Sequence, residues 1–178
     1  FESNISMGQG WLVGQAILFF IYIYMNFSAY SDIAIGISRM YGFHIRENFN
    51  LPLFKPSLQQ FWASWHMSLT SFAQRNIFVP LGGFRPQRQY FATFMTMMAI
   101  ALWHNLSIPM VIYGVLHATV LIALRIKNTY IKPKESRPFI TTLFHTCVTF
   151  LFVTFTAPLL VLKSDQILAF YKLLLLGQ

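Results

Sequence analysis

Four stretches of the chain are almost free of charge, and polar segments of contrasting character separate them. The first runs from Trp11 to Phe27 and is apolar except for Gln15 and Asn26. A mixed continuation, Ser28 to Tyr41, places Ser31 and Asp32 where a helix leaves lipid or lines a protein interior. With that extension the segment reaches the roughly 20 residues a bilayer requires. The second and third stretches, Tyr90–His104 and Pro109–Leu124, each predict about 24 Å of helix at 1.5 Å per residue. The hydrocarbon core is about 30 Å thick, so the turn between them is expected to stop within the membrane depth. Irregular backbone is tolerated there only where protein or water satisfies it. The fourth stretch, Phe139–Leu162, carries no charge and is long enough to cross with some tilt. Asp165–Leu176 predicts a short, mostly apolar helix at the surface.

The segment between the first and second stretches divides in two. Phe43–Pro56 holds two prolines with Glu47, Asn48 and Asn50 and predicts a loop. Ser57-Leu58-Gln59-Gln60 then has the pattern of a capping box, a hydroxyl at the N-cap with Gln three residues later. Leu58, Phe61, Trp62, Trp65, Leu69 and Phe72 follow at helical spacing, with Gln59, Gln60, Ser64, Ser71, Gln74 and Arg75 over much of the rest. This pattern predicts one amphipathic helix, too polar to span, lying in the interface or dipping into a protein cavity. Val79-Pro80-Leu81-Gly82-Gly83 ends it in a turn, and Phe84–Gln89 forms a basic loop. The expected fold is therefore all-α, with polytopic transmembrane helices and an interfacial or re-entrant amphipathic helix.

Composition supports that class. Charged residues are 10% of the 178 residues and hydrophobic ones 56%, against about 25% charged in a soluble domain. The chain opens at Phe1 without an initiator Met and without the basic start of a signal peptide, which fits a portion of a longer protein. Cys147 is the single cysteine, which excludes an intrachain disulfide and a cysteine-based zinc site. The net charge of +8 invites a nucleic-acid reading, but its distribution opposes one. Arg39, Arg46, Lys55, Arg75, Arg85 and Arg88 precede the second stretch; Arg125, Lys127, Lys132, Lys134 and Arg137 lie between the third and fourth. Basic residues on alternate loops follow the positive-inside pattern. The lipid bilayer is the expected partner, and nucleic acid is not.

The chemistry centres on histidine. No Asp, Glu, Lys or Arg occurs between Arg88 and Arg125, yet His104 sits there after Trp103 and before Asn105. An ionisable group in such a place is costly and usually faces a polar cavity in which it acts. His66 lies on the amphipathic segment, His117 and His145 read as core histidines bonded across helices, and His44 as a solvated loop residue. No closely spaced pair of histidines and no acidic residue near His104 points to a metal, so none is expected. Ser31, Asp32 and His104 formally suit a nucleophilic triad, but no nucleophile-elbow sequence accompanies them. A lone base with Trp and Asn beside it suits deprotonation of an alcohol.

Several motifs in one order resemble those of the membrane-bound O-acyltransferase family. They are Asn26-Phe27-Ser28-Ala29-Tyr30-Ser31-Asp32-Ile33-Ala34-Ile35-Gly36, Glu47-Asn48-Phe49-Asn50-Leu51-Pro52, Phe61-Trp62-Ala63-Ser64-Trp65-His66-Met67-Ser68-Leu69, Pro80-Leu81-Gly82-Gly83, Leu102-Trp103-His104 and Tyr113-Gly114 followed by His117. The bacterial branch with alginate O-acetyltransferase-like and teichoic acid D-alanyl transfer proteins is the most similar. The resemblance implies that residues 1–178 are the C-terminal, active-site portion of such a domain. It implies His104 and His66 as catalytic, with Trp65, Trp103, Asn105, Ser31, Asp32 and Asn48 binding substrate.

It further implies an acyl thioester donor, acetyl-CoA or an acyl carrier, as co-substrate rather than a permanently bound cofactor. The acceptor would be a hydroxyl of a cell-envelope polysaccharide, the setting the bacterial inner membrane, and a periplasmic or extracellular acyltransferase a further partner. D-alanyl or other acyl transfer from a carrier protein is the alternative activity; a transport or scaffold subunit is the non-enzymatic one. The chain departs from the family pattern at Asn26, Ala29, Ala63, Ser64, Asn76 and Asn105, changes expected to alter donor or partner preference or to reduce activity.

The charge pattern places Arg39–Arg88 and Arg125–Arg137 on the cytoplasmic side, with Phe1–Gly10 and the region after Leu162 opposite. Single cysteines at Arg85 and Lys134 are expected to label from the same membrane face. Labelling from opposite faces contradicts the topology.

Overall fold

The computed structural model describes residues 8–131, 138–162 and 164–176; the basic run Lys132–Arg137 falls outside them. Every regular element among the described residues is helical. Helix α1 (Gly8–Met40) is one continuous helix of 33 residues, so the mixed segment after Phe27 prolongs the first apolar stretch without a break. Leu12, Ala16, Phe20, Ser31 and Ile35 are its buried positions, spaced as one face of a helix. Asp32, next to Ser31, is exposed.

The predicted single amphipathic helix is broken. Helix α2 (Leu58–Trp62) stops after five residues, and α3 (Met67–Ala73) starts again beyond His66. The capping oxygen of Ser57 accepts from the Gln60 amide at 3.3 Å, as its sequence context predicts. Periodicity missed the break because Leu58, Phe61, Trp62 and Trp65 keep helical spacing through it. The loop before α2 inserts instead: the Asn50 amide donates to the Ser64 carbonyl at 3.0 Å, and the Met67 amide to the Asn48 carbonyl at 2.9 Å. These bonds replace intrahelical ones that the break forfeits.

A π-helical turn, Gln74–Phe78, follows α3 and leads into the Pro80–Gly83 turn. Gly82 has φ +78, and a Cβ on Gly83 would lie 2.4 Å from the Phe78 ring. Both glycines are required here, the first by its left-handed backbone and the second by the ring against it. The Phe78 ring in turn carries the Arg125 guanidinium, 5.2 Å from its centroid.

Helix α4 (Gln89–His104) has 16 residues and α5 (Ile108–Tyr130) has 23. The third apolar stretch is therefore longer than expected, because the helix continues through Arg125 and Lys127. Helices α1, α5 and α6 (Phe139–Thr156, prolonged by a 3₁₀ turn to Leu160) are long and apolar enough to cross a membrane; α4 is not. The two central helices approach closely at Gly114, where a Cβ would lie 3.1 Å from the Ala101 Cβ and 2.8 Å from the Met98 Sδ. Small residues permit such contact between membrane helices.

At the opposite end of α4 from His104, Arg125 Nη1 donates to Gln89 Oε1 (3.3 Å) and Asn128 Nδ2 to Gln59 Oε1 (3.2 Å). The end of α5 thus lies beside the starts of α2 and α4, which gathers basic residues of both polar regions at one end of the molecule. Helix α7 (Ser164–Leu176) does not lie free on the surface. Phe170 packs with Leu12 and Ala16 of α1, and Tyr171 donates its hydroxyl to the Phe155 carbonyl.

Gly114→Leu forces α4 and α5 apart, a misfit of about 1–3 kcal/mol for an overpacked core. Its melting temperature in detergent is expected to fall. An unchanged melt contradicts the close α4–α5 contact.

Candidate active site

Three aromatic layers hold the segment around His66. The Trp65 ring stacks on Phe61 (centroids 5.4 Å apart) and on Phe20 of α1 (5.6 Å), and meets Phe49 edge-on at 5.1 Å. Trp65 is therefore a packing residue that anchors the break to α1, and its ring is committed to these contacts. One residue further on, His66 adopts φ 42 and ψ 55. The left-handed region costs an L-residue about 1–2 kcal/mol, and strain of this kind concentrates at functional positions. It turns the imidazole out of the amphipathic face and against Phe27, centroids 4.6 Å apart.

His66 then meets the end of α4. Its ring centroid is 6.3 Å from that of Trp103, which lies 5.0 Å from that of His104. Trp103 is 63% exposed, and His104 and the extended Asn105 are exposed beside it. Among the described residues, His66, Trp103 and His104 form an open face. Burial, and secondarily the charge of His104, hold the His66 imidazole below its ordinary pKa. The two histidines are close enough that protonating one opposes protonating the other.

Of the other predicted site residues, the structure groups Ser31 and Asn48. Asn48 Nδ2 donates to Ser31 Oγ at 3.2 Å, while Oδ1 accepts from the Ser68 hydroxyl at 2.6 Å and the Ser68 amide at 3.3 Å. Asp32 faces away. Among the described residues no hydrogen bond links Ser31, Asp32 and His104, so no nucleophilic triad forms. No group of three His, Cys, Asp or Glu side chains gathers among them either.

His117 is buried and bonded across three helices. The Trp62 indole N–H donates to its Nδ1 at 3.2 Å, and its Nε2 lies 2.9 Å from Thr156 Oγ1. An indole N–H can only donate, so Nδ1 must be the acceptor and Nε2 carries the proton. Thr156 completes the chain by donating to the Phe152 and Val153 carbonyls, each at 3.1 Å. Sequence reading placed His117 in the core but missed its partners, which lie 55 and 39 residues away. His145 differs from expectation: it bonds within its own helix, to the Thr141 carbonyl at 2.7 Å. It also lines a cavity of about 580 Å³ with Ser57, Gln59, Lys127 and Asn128, to which the His66–His104 face contributes nothing.

Two of the departures from the family pattern, Ser64 and Asn76, have local partners. Ser64 is buried and donates to the Gln60 and Phe61 carbonyls, each at 2.9 Å. Asn76 donates to the Phe72 carbonyl at 2.8 Å.

Known proteins with the same pattern bear on this site. The family model described as membrane-bound O-acyltransferase matches residues 5–162. A probable alginate O-acetylase of Azotobacter vinelandii is 36% identical over 138 residues, 76% of this chain and 27% of that protein. One from Pseudomonas aeruginosa is 34% identical over 137 residues, 76% of this chain and 26% of its own length. A peptidoglycan O-acetyltransferase of Helicobacter pylori is 31% identical over 130 residues, 72% and 24% of the respective chains. The chain spans about a quarter of the length of these relatives.

Trp62→Phe keeps the ring but strands the buried Nδ1 of His117, at a cost of about 1–3 kcal/mol. A lowered melting temperature in detergent is the expected result. Wild-type stability shows that the indole bond holds nothing.

Proposed function

The chain belongs to the membrane-bound O-acyltransferase family, and from that premise we propose that it carries the acyl-transfer centre of an enzyme that acetylates hydroxyls of a cell-envelope polysaccharide. The observation that supports this most is the meeting of His66, Trp103 and His104 on one face, assembled from two motifs far apart in sequence. As an integral membrane protein it sets Arg88 and Arg125 at one end, beside Gln89, and the bacterial inner membrane is the proposed setting.

In this reading His104 is the general base. It takes the proton of the acceptor hydroxyl as that oxygen bonds to the thioester carbonyl carbon. The carbon–sulfur bond breaks, the thiol leaves with a proton, and the ester product departs. Acetyl-CoA is the proposed donor, with an acyl-carrier thioester and D-alanyl transfer as the competing chemistry. Both donors carry anionic phosphate, which the basic end attracts. His66 acts beside His104 as a neutral imidazole; Trp103 and Asn105 border the acceptor. A periplasmic acyltransferase is the proposed onward partner.

Membranes holding the protein, given labelled acetyl-CoA and alginate or peptidoglycan acceptor, are expected to release CoA only with acceptor present. His104→Ala is expected to lower transfer by about 10²–10⁴-fold, the usual worth of a general base, without loss of membrane-inserted protein. His66→Ala is expected to impair transfer, and His145→Ala to leave chemistry intact. Near-normal turnover in His104→Ala removes it as the base. Exclusive use of D-alanyl-carrier thioester replaces acetyl transfer by the competing chemistry.

Transfer is also expected to fall on the acid side. Burial and the charge of His104 weaken proton binding at His66, so its charged form accumulates only below the ordinary imidazole value near 6.5. A rate profile whose acid limb has its midpoint above 6.5 contradicts a centre in which His66 and the base His104 both stay neutral at that pH.

A further inference from the structure

The left-handed turn at His66 has a competitor. Leu58, Phe61, Trp62, Trp65, Leu69 and Phe72 keep the spacing of one uninterrupted amphipathic helix. In such a helix residue 66 would be right-handed, and its imidazole would point along a different direction from the one that meets Phe27 and Trp103. Something must hold the break open against that alternative.

Asn48 does so through four hydrogen bonds made by three of its atoms. Its carbonyl accepts from the Met67 amide at 2.9 Å, immediately after the turn. Its side-chain Oδ1 accepts from the Ser68 amide and hydroxyl at 3.3 and 2.6 Å. A backbone amide can only donate, so Oδ1 must face Ser68, and Nδ2 must face Ser31 Oγ, 3.2 Å away on α1. Two residues later the Asn50 amide ties the Ser64 carbonyl at 3.0 Å, on the other side of the turn. The four residues 64–67 are thus held from both ends by one short segment, and that segment is pinned to α1, which also supplies Phe27.

We propose that Asn48 is a positioning residue: through Ser31 and Ser68 it fixes the α2–α3 break so that His66 is delivered to the face shared with Trp103 and His104. It binds no substrate. The proposal rests on the reading of His66 as a functional histidine given above. Loss of the side chain lets residues 63–68 return toward continuous helix, and His66 leaves its partners. Misplacement of a reacting group by about 1 Å can cost 10²-fold in rate.

The experiment is a double-mutant cycle on acetyl-CoA-dependent transfer in membranes, with folded protein quantified for each variant. Asn48→Ala is expected to lose about 10²-fold in turnover per folded molecule, with little change in the KM for acceptor. In the His66→Ala background the same change is expected to cost nothing further, because residues that act as a unit are not additive. Asn48→Asp, whose carboxylate still accepts from Ser68 and can accept from the Ser31 hydroxyl, is expected to retain most of the turnover. Ser68→Ala, at an exposed position, removes the 2.6 Å bond alone and serves the same cycle if Asn48→Ala does not accumulate.

Wild-type turnover in Asn48→Ala, or losses that add fully to those of His66→Ala, overturn the positioning role. A rise in acceptor KM at unchanged kcat does so too, in favour of direct binding. Normal turnover in His66→Ala defeats instead the reading of His66 on which the proposal rests.

Discussion

One buried hydrogen-bond chain fixes the relations among the helices that carry the site. The Trp62 indole, the His117 imidazole and the Thr156 hydroxyl connect α2, α5 and α6, and Thr156 passes the last proton to carbonyls of its own helix. Every member of the chain has a hydrogen-bond partner. In an apolar interior, where an unpaired polar group costs about 1–3 kcal/mol, the bonds admit one arrangement of the three helices. The rings of Tyr113 and Phe152 close over His117, centroids 4.2 and 5.0 Å from it. Only one tautomer of the imidazole fits, so this histidine is spent on structure.

The site follows from that fixed point. Trp62 is the last residue of α2, so anchoring its indole sets where the chain must turn. Four residues later the left-handed His66 leaves the packed face and reaches the end of α4. The close approach at Gly114 places α4 against α5, and so sets the position of Trp103 and His104 relative to His117. The motif Phe61-Trp62-Ala63-Ser64-Trp65-His66 therefore divides its aromatic residues by task. Trp62 ties helices, Trp65 packs against Phe20 and Phe61, and His66 is presented at the surface.

Much of the fold is legible in the sequence because it rests on local signals. Uncharged stretches, the capping Ser57, and the Gly-Gly turn each reflect physics that acts within a few residues. The broken helix is not, since the bonds that break it come from Asn48 and Asn50, outside the periodic window. The length of α5 is hidden by Arg125 and Lys127, which look like a loop until Gln89 and the Phe78 ring are seen to receive the guanidinium. His66 and His104 stand out as unusual residues, but their meeting depends on Phe27 and Trp103, which lie far away in sequence. Ser31 and Asn48 carry a polar signal that sequence reads as substrate binding; their hydrogen bond to each other is not visible in it.

His117 is buried between helices, bonded to Trp62 and Thr156, and His104 with His66 is the proposed transfer pair. The most direct test is turnover per mole of folded protein, measured beside the thermal melt, for His104→Gln and His117→Gln. The expected result is crossed. His104→Gln melts like the unaltered protein and transfers little, whereas His117→Gln melts earlier and each molecule that remains folded transfers at a near-normal rate. Loss of activity in His104→Gln that simply follows loss of folded protein contradicts this assignment.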